Sequence, residues 1–163
     1  METTDNLNIR CFKSLISPDQ IKDQLPQTKE QARVVASSRH AIEDILTGRD
    51  RRRVVITGPC SLHDEEATLE YARRLRKLQE DTAEKLLLVM RTYFEKPRTT
   101  LGWKGLLYDP RLDGSYDIDN GIRISRRILT EISTIGLPAA TEFLDPIVPQ
   151  YLADFVSWAA IGA

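Results

Sequence analysis

Cys60, Arg91 and Glu142 each stand at or just past the end of a short apolar run. In parallel α/β folds such positions face one common mouth. A thiol, a guanidinium and a carboxylate converging there make a polar site, although a cysteine is by default a small buried hydrophobe and an arginine a surface ion-pair partner. The stretch from Arg91 to Lys104 is more informative. It carries Arg91, Lys96, Arg98 and Lys104 against one acid, Glu95. Pro97 stiffens it, Thr99 and Thr100 add hydroxyl donors, and Gly102 and Gly105 permit close backbone approach to a ligand. Arginine grips phosphate oxygens through paired hydrogen bonds, and lysine acts as a mobile point charge. The stretch therefore matches a pocket for small dianions, two of them if the cations act in pairs. Its alternative is a solvated basic loop.

For these residues to meet, the elements around them must alternate in type. Arg53–Thr57 is a β-branched run suited to a strand buried on both faces, and it ends at Gly58-Pro59. The following stretch places Ala67, Tyr71, Ala72, Leu75 and Leu78 on one helical face. Leu86–Met90 predicts a second buried strand. A polar loop over 92–120 leads to a helix bearing Ile124, Ile128, Leu129, Ile132 and Ile135, closed by Gly136. Leu137–Thr141 predicts a third strand, Pro149 opens a third helix reaching about Trp158, and residues 159–163 predict a fourth strand.

This alternation is the grammar of parallel α/β structure, closing either as an open sheet or as a (β/α)8 barrel. No glycine-rich nucleotide motif follows any strand, which removes the usual reason for the open sheet. A closed barrel takes roughly 250 residues, so residues 53–163 would form only its first half, with strand edges left unpaired at both sides. Upstream, residues 1–16 resemble an arm. Ser17-Pro18-Asp19-Gln20 and Thr28-Lys29-Glu30-Gln31 are capping signals for two helices, stopped by Pro26 and Gly48. The chain thus divides into an arm with helices (1–52) and a barrel portion (53–163). The basic run Arg49–Arg53 between them is a solvated link.

The 163 residues suffice for one core without disulfides or structural metal. With 23 basic and 24 acidic side chains, neither nucleic acid nor an anionic membrane is the expected partner. Two cysteines, Cys11 and Cys60, do not make a disulfide framework, and no CxxC pair suggests zinc. The acidic, polar start is not a secretory signal, and no apolar run approaches the roughly 20 residues of a bilayer span, so a cytoplasmic protein is expected.

Several strings together carry a resemblance: Gly58-Pro59-Cys60-Ser61, Met90 to Thr100, Gly102-Trp103-Lys104-Gly105-Leu106, Asp145 with Pro149-Gln150-Tyr151-Leu152, and Trp158 to Ala163. They resemble the microbial 3-deoxy-D-arabino-heptulosonate-7-phosphate (DAHP) synthases regulated by aromatic amino acids, over essentially the whole chain. The resemblance implies the amino-terminal portion, about four strands, of a (β/α)8 TIM barrel preceded by a helical extension. It implies condensation of phosphoenolpyruvate with erythrose 4-phosphate, releasing phosphate, on the route to chorismate. By the same resemblance Cys60 is a thiolate ligand of a divalent metal (manganese, iron, cobalt or zinc). Arg91, Lys104, Glu142 and the backbone of Gly162-Ala163 bind phosphoenolpyruvate. Lys96, Pro97, Arg98 and Thr99 bind erythrose 4-phosphate, with Lys96 at the aldehyde oxygen and Lys96 and Arg91 the catalytic pair.

The resemblance also implies an inhibitor site for tyrosine or phenylalanine. Its wall is Asp145, Pro149 and Gln150, completed by an arm bearing Asn6 and Asn8 that reaches a neighbouring subunit of a homo-oligomer. Pro149 would serve equally as an ordinary helix start. The family's other metal ligands, an arginine beyond Ala163 and a further phosphate-binding lysine have no counterpart here. Unless another chain or a dimeric arrangement completes the sheet, the 163-residue chain alone is therefore expected to be inactive and marginally folded. The alternative is a non-catalytic module that binds an aromatic amino acid and joins full-length subunits.

Overall fold

The computed structural model describes residues 4–9 and 12–162. Two capped helices come first, α1 (Pro18–Gln24) and α2 (Lys29–Leu46). Each begins with a reciprocal capping box: the Ser17 and Thr28 hydroxyls accept from the Gln20 and Gln31 amides, and those glutamines accept from the capping residues' own amides. Then follow β1 (Arg53–Thr57), α3 (Glu65–Thr82), β2 (Leu86–Arg91), α4 (Ile118–Thr134), β3 (Ala139–Phe143), the short α5 (Pro149–Leu152) with a 3-10 turn over Ala153–Phe155, and β4 (Trp158–Ile161). The four strands form one parallel sheet in the order β1-β2-β3-β4, a half-barrel with its helices.

Register decides what meets at the mouth. Thr57 pairs with Met90, Arg91 with Ala140, and Ala140 in turn with Trp158. Residues beyond these levels, Gly58 to Cys60 among them, therefore project past the sheet on the same side as Arg91 and Glu142. Alternation along β2 gives each face its own cover. Leu88 and Met90 join the main core with Leu75, Ile128, Leu129 and Ile132, whereas Leu87 and Val89 pack with Ile42 of α2.

Several boundaries and faces differ from expectation. β1 is half-exposed rather than buried on both faces, with Ile56 41% exposed, because an edge strand has one neighbour only. The buried stripe of α3 is Thr68, Ala72, Leu75 and Gln79, leaving Ala67 and Leu78 exposed. Two polar residues can occupy that stripe because both are satisfied. Thr68 donates to the Asp64 carbonyl, and Gln79 brackets β2 by donating to the Leu86 carbonyl and accepting from the Leu88 amide. β3 starts at Ala139, so Glu142 lies inside it rather than after it. The third helix ends at Leu152, and Trp158 opens β4.

The loop of residues 92–117 is not a polar surface excursion. Phe94, Leu106 and Leu107 are buried in the core, and the Leu107 amide donates to the Phe94 carbonyl, so the cation-bearing tip is held on an apolar stem. None of the described helices is long and apolar enough to cross a membrane.

Candidate active site

Gly58 lets the end of β1 lie against the end of β2: a Cβ there would meet the Arg91 carbonyl oxygen at 2.6 Å. Arg91 completes this junction by donating from Nη2 to the Gly58 carbonyl (2.6 Å) and from Nε to the Pro59 carbonyl (3.0 Å), over the ring of Tyr93. Part of its fork is thus spent on positioning Cys60. The thiol is exposed rather than buried. Lys96 Nζ lies 3.1 Å from Cys60 Sγ and 2.7 Å from its carbonyl oxygen. The hydrogen bond and charge of that ammonium, with Arg91 and Arg98 behind it, hold the thiol below its ordinary pKa. In a Cys11→Ser background, iodoacetamide should therefore modify Cys60 with a pH midpoint below that of free cysteine. Lys96→Ala should move the midpoint up and slow modification at neutral pH several-fold; an unchanged profile would show that the ammonium does not act on the sulfur.

Gly105 lets the tip of the loop fold against its stem. At φ +108°, a Cβ would meet the Phe94 carbonyl oxygen at 2.3 Å. The Lys96 amide donates to the Lys104 carbonyl (2.9 Å), and Lys104 Nζ donates to the carbonyls of Arg98 (2.6 Å) and Thr99 (3.2 Å). Lys96, Pro97, Arg98, Thr99, Lys104 and Gly162 line one open cleft of about 690 Å³. Arg91, Cys60 and Glu142 do not line it; they stand beside it at the strand ends. Glu142 lies next to Gly162, where an added Cβ would come 3.0 Å from its carboxylate. Ala163 lies outside the described residues.

Among the described residues, Arg91, Lys96, Arg98 and Lys104 have no carboxylate within ion-pair distance, although ion pairs are plentiful elsewhere on the surface. The acid adjacent to Lys96 lines the same cleft but forms an ion pair with none of them. Glu95 is buried, and its Oε1 lies 3.1 Å from the Tyr108 hydroxyl, which also sits 2.6 Å from Asp145 Oδ2. Burial above all pushes the Glu95 pKa up to about 7. This carboxyl–phenol–carboxyl cluster was not legible in the sequence, where Glu95 is simply the one acid of a basic stretch. Its only local signal is Phe94, an apolar neighbour marking where the loop dives inward.

A second cavity of about 510 Å³ is lined by Asp145, Pro149, Leu144, Ile161 and Gly162. Asp145 caps the turn there, its Oδ1 accepting from the amides of Ile147 (2.6 Å) and Val148 (2.8 Å). Gln150 is exposed and does not line the cavity. Asn6 and Asn8 lie in an exposed segment near a turn closed by the Ile9 amide on the Asn6 carbonyl. No hydrogen bond among the described residues joins them to Asp145, Pro149 or Gln150.

No three His, Cys, Asp or Glu side chains converge among the described residues. A lone thiolate does not meet the three or four ligands that a divalent cation requires, so these residues by themselves do not make up a metal site.

The family profile described as the DAHP synthetase I family matches residues 22–163. The Tyr-sensitive phospho-2-dehydro-3-deoxyheptonate aldolase of Escherichia coli is 51% identical over 162 residues, covering 99% of this chain and 46% of that protein. The Phe-sensitive form from the same species is 53% identical over 159 residues, covering 98% of this chain and 45% of that protein. A solved phospho-2-dehydro-3-deoxyheptonate aldolase structure from Francisella tularensis superposes with a TM-score of 0.91 at 46% identity, covering 96% of this chain and 46% of that one. The chain spans about half the length of these relatives.

Proposed function

Because the chain belongs to the DAHP synthetase I family, we propose that it supplies the first half of an active site that condenses phosphoenolpyruvate with erythrose 4-phosphate. The observation that carries this reading is the set of four cations at the mouth that, among the described residues, have no carboxylate partner, the one acid of their loop being bonded to Tyr108 instead. Two phosphorylated substrates repel each other, and fixed positive charge is what brings them together. Lys96, Pro97, Arg98 and Thr99 would hold the aldose phosphate in the cleft they line, with Lys104 bracing that loop through the Arg98 and Thr99 carbonyls. Arg91, Lys104, Glu142 and the backbone at Gly162-Ala163 would hold phosphoenolpyruvate at the strand ends.

In the reaction, the enol carbon attacks the aldehyde carbon and negative charge grows on the aldehyde oxygen. An ammonium aimed at that oxygen stabilises the charge as it forms, which is the role assigned to Lys96. Water adds to the former enol carbon, and phosphate leaves by C–O cleavage. Cys60, with its pKa already lowered, would be one ligand of the divalent metal of the complete enzyme, with residues outside this chain supplying the others.

Residues 1–52 would form a regulatory and oligomer-contacting arm on the barrel portion, 53–163. Asp145, Pro149 and Gln150, with Asn6 and Asn8 of a neighbouring subunit, would hold tyrosine or phenylalanine. Curated relatives described as Tyr-, Phe- and Trp-sensitive support an aromatic amino acid as the effector.

A chimera joining residues 1–163 to the remaining half of the Tyr-sensitive relative should form DAHP from both substrates with Mn2+, whereas the 163-residue chain alone should not. A folded chimera without turnover would defeat the enzyme reading. Uptake of tyrosine by the short chain in calorimetry, without phosphoenolpyruvate uptake, would favour the assembly module instead.

A further inference from the structure

We propose that Glu95 is a positioning residue that stands as a neutral carboxylic acid, donating its proton to the Tyr108 oxygen while Tyr108 donates to Asp145. This relay holds the Lys96–Thr99 loop in its binding shape. The inference concerns how the loop of the proposed active site is held, and its functional consequence rests on that reading.

The argument is a count of hydrogens. The Tyr108 oxygen lies 2.6 Å from Asp145 Oδ2 and 3.1 Å from Glu95 Oε1, but a phenol has one hydrogen. Asp145 is built as the carboxylate: its other oxygen accepts two backbone amides, and those bonds with the phenol outweigh its desolvation to hold its pKa below the ordinary value. The short bond to Asp145 therefore takes the phenol hydrogen. Glu95 then faces a lone pair of the Tyr108 oxygen and the Asp145 carboxylate, with which it also shares a hydrogen bond, and only its own proton makes those contacts attractive. Among the described residues no cation answers it: Lys96, Arg98 and Lys104 share its cleft but reach Cys60 or the loop carbonyls, or lie along Gly102. The other titratable groups around it are Tyr108 itself, Asp145 and, across the cleft, Tyr116. The Leu144 amide also bonds it and favours the charged form, but burial outweighs that bond.

Loss of the Glu95 proton would bury a second negative charge beside Asp145. Glu95 relieves this by moving, and it cannot move alone. It is bonded to Lys96, whose amide is tied to the Lys104 carbonyl, and its other neighbour Phe94 is tied to Leu107. The same event reaches the second cavity, because Asp145 lines it and Leu144 and Gly162 line both. The sign follows from the raised value of about 7. The folded state holds the proton more tightly than the unfolded chain, so this contribution is fully present below the usual glutamate range and is lost as pH rises to about 7.

The test is a pH titration of the 163-residue chain by NMR with carboxyl-labelled glutamate, alongside Glu95→Gln, whose amide can still donate to Tyr108. In the wild type the Glu95 carboxyl carbon and the Lys96, Lys104 and Gly105 amides should titrate together with a midpoint near 7. In Glu95→Gln those amides should be flat. Titration of Glu95 in its ordinary range, or loop amides that ignore it, would overturn the proposal. Calorimetry with erythrose 4-phosphate should show affinity weakening about tenfold from pH 6 to pH 8 in the wild type but not in Glu95→Gln. That direction is diagnostic, because a phosphate monoester gains charge over this range and simple attraction would tighten binding. Shared titration with no aldose phosphate bound at any pH would confirm the relay and count against the proposed function instead.

Discussion

Lys96→Ala in the complete chimera is expected to lower kcat by about 10²- to 10³-fold, the usual loss when one donor to a developing oxyanion is removed. The ammonium lies 3.1 Å from Cys60 Sγ and 2.7 Å from the Cys60 carbonyl, so it is held where the loop meets the strand ends, between the two proposed substrate positions. Removing it takes away the charge that, on the proposed reading, would lie nearest the reacting aldehyde, and also releases the thiol toward its ordinary pKa. Binding of phosphoenolpyruvate should change much less, because Arg91 is anchored independently on Gly58 and Pro59. Steady-state kinetics with each substrate varied separately would check this. If kcat falls less than tenfold, Lys96 does not stabilise the transition state, and the assignment of the aldehyde to this loop fails with it.

The second large effect concerns stability. Arg126→Met should destabilise the chain by about 3 kcal/mol, the low end for breaking a buried pair from one side, because the Asp154 carboxylate left behind is 29% exposed. At roughly 2–4 °C per kcal/mol for a domain of this size, the melting temperature should fall by about 6–12 °C. Arg126 is fully buried in α4. It grips both oxygens of Asp154 at 2.8 Å, donates to the Leu25 carbonyl (2.9 Å) and the Tyr151 carbonyl (2.7 Å), and lies over the Phe155 ring. One side chain thereby joins the end of α1, the turn before β4 and the central helix. Methionine fills the space but takes a donor from two carbonyls and the ion pair from Asp154. Arg126→Lys should lie between, keeping the charge but not the fork. The double variant Arg126→Met with Asp154→Leu should recover part of the loss. Thermal denaturation of the four proteins measures this, and a loss below 1 kcal/mol for Arg126→Met would show that the cluster does not tie these elements together.

Local chemistry carried far in this chain. Ser17 and Thr28 announced their helices because a cap and its glutamine are three residues apart and need no tertiary partner. The order of strands and helices, and hence the set of residues near the strand ends, followed from apolar runs and their punctuation. The strings Lys96-Pro97-Arg98-Thr99-Thr100 and Gly102-Trp103-Lys104-Gly105 carried the family, which the profile match and the superposition bear out.

What the tertiary structure alone decided is where polar groups could be hidden. The loop of residues 92–117 looked like surface because its stem residues Phe94, Leu106 and Leu107 are scattered among charges. The buried stripe of α3 runs through Thr68 and Gln79, tolerated only because β2 and the Asp64 carbonyl satisfy them. Arg126 reaches Leu25 across 101 residues, and Tyr108 reaches Asp145 across 37. A polar side chain is affordable inside a protein when its partners are there to meet it. Partners that distant are set by the register of the sheet and the packing of the helices, which no local pattern encodes.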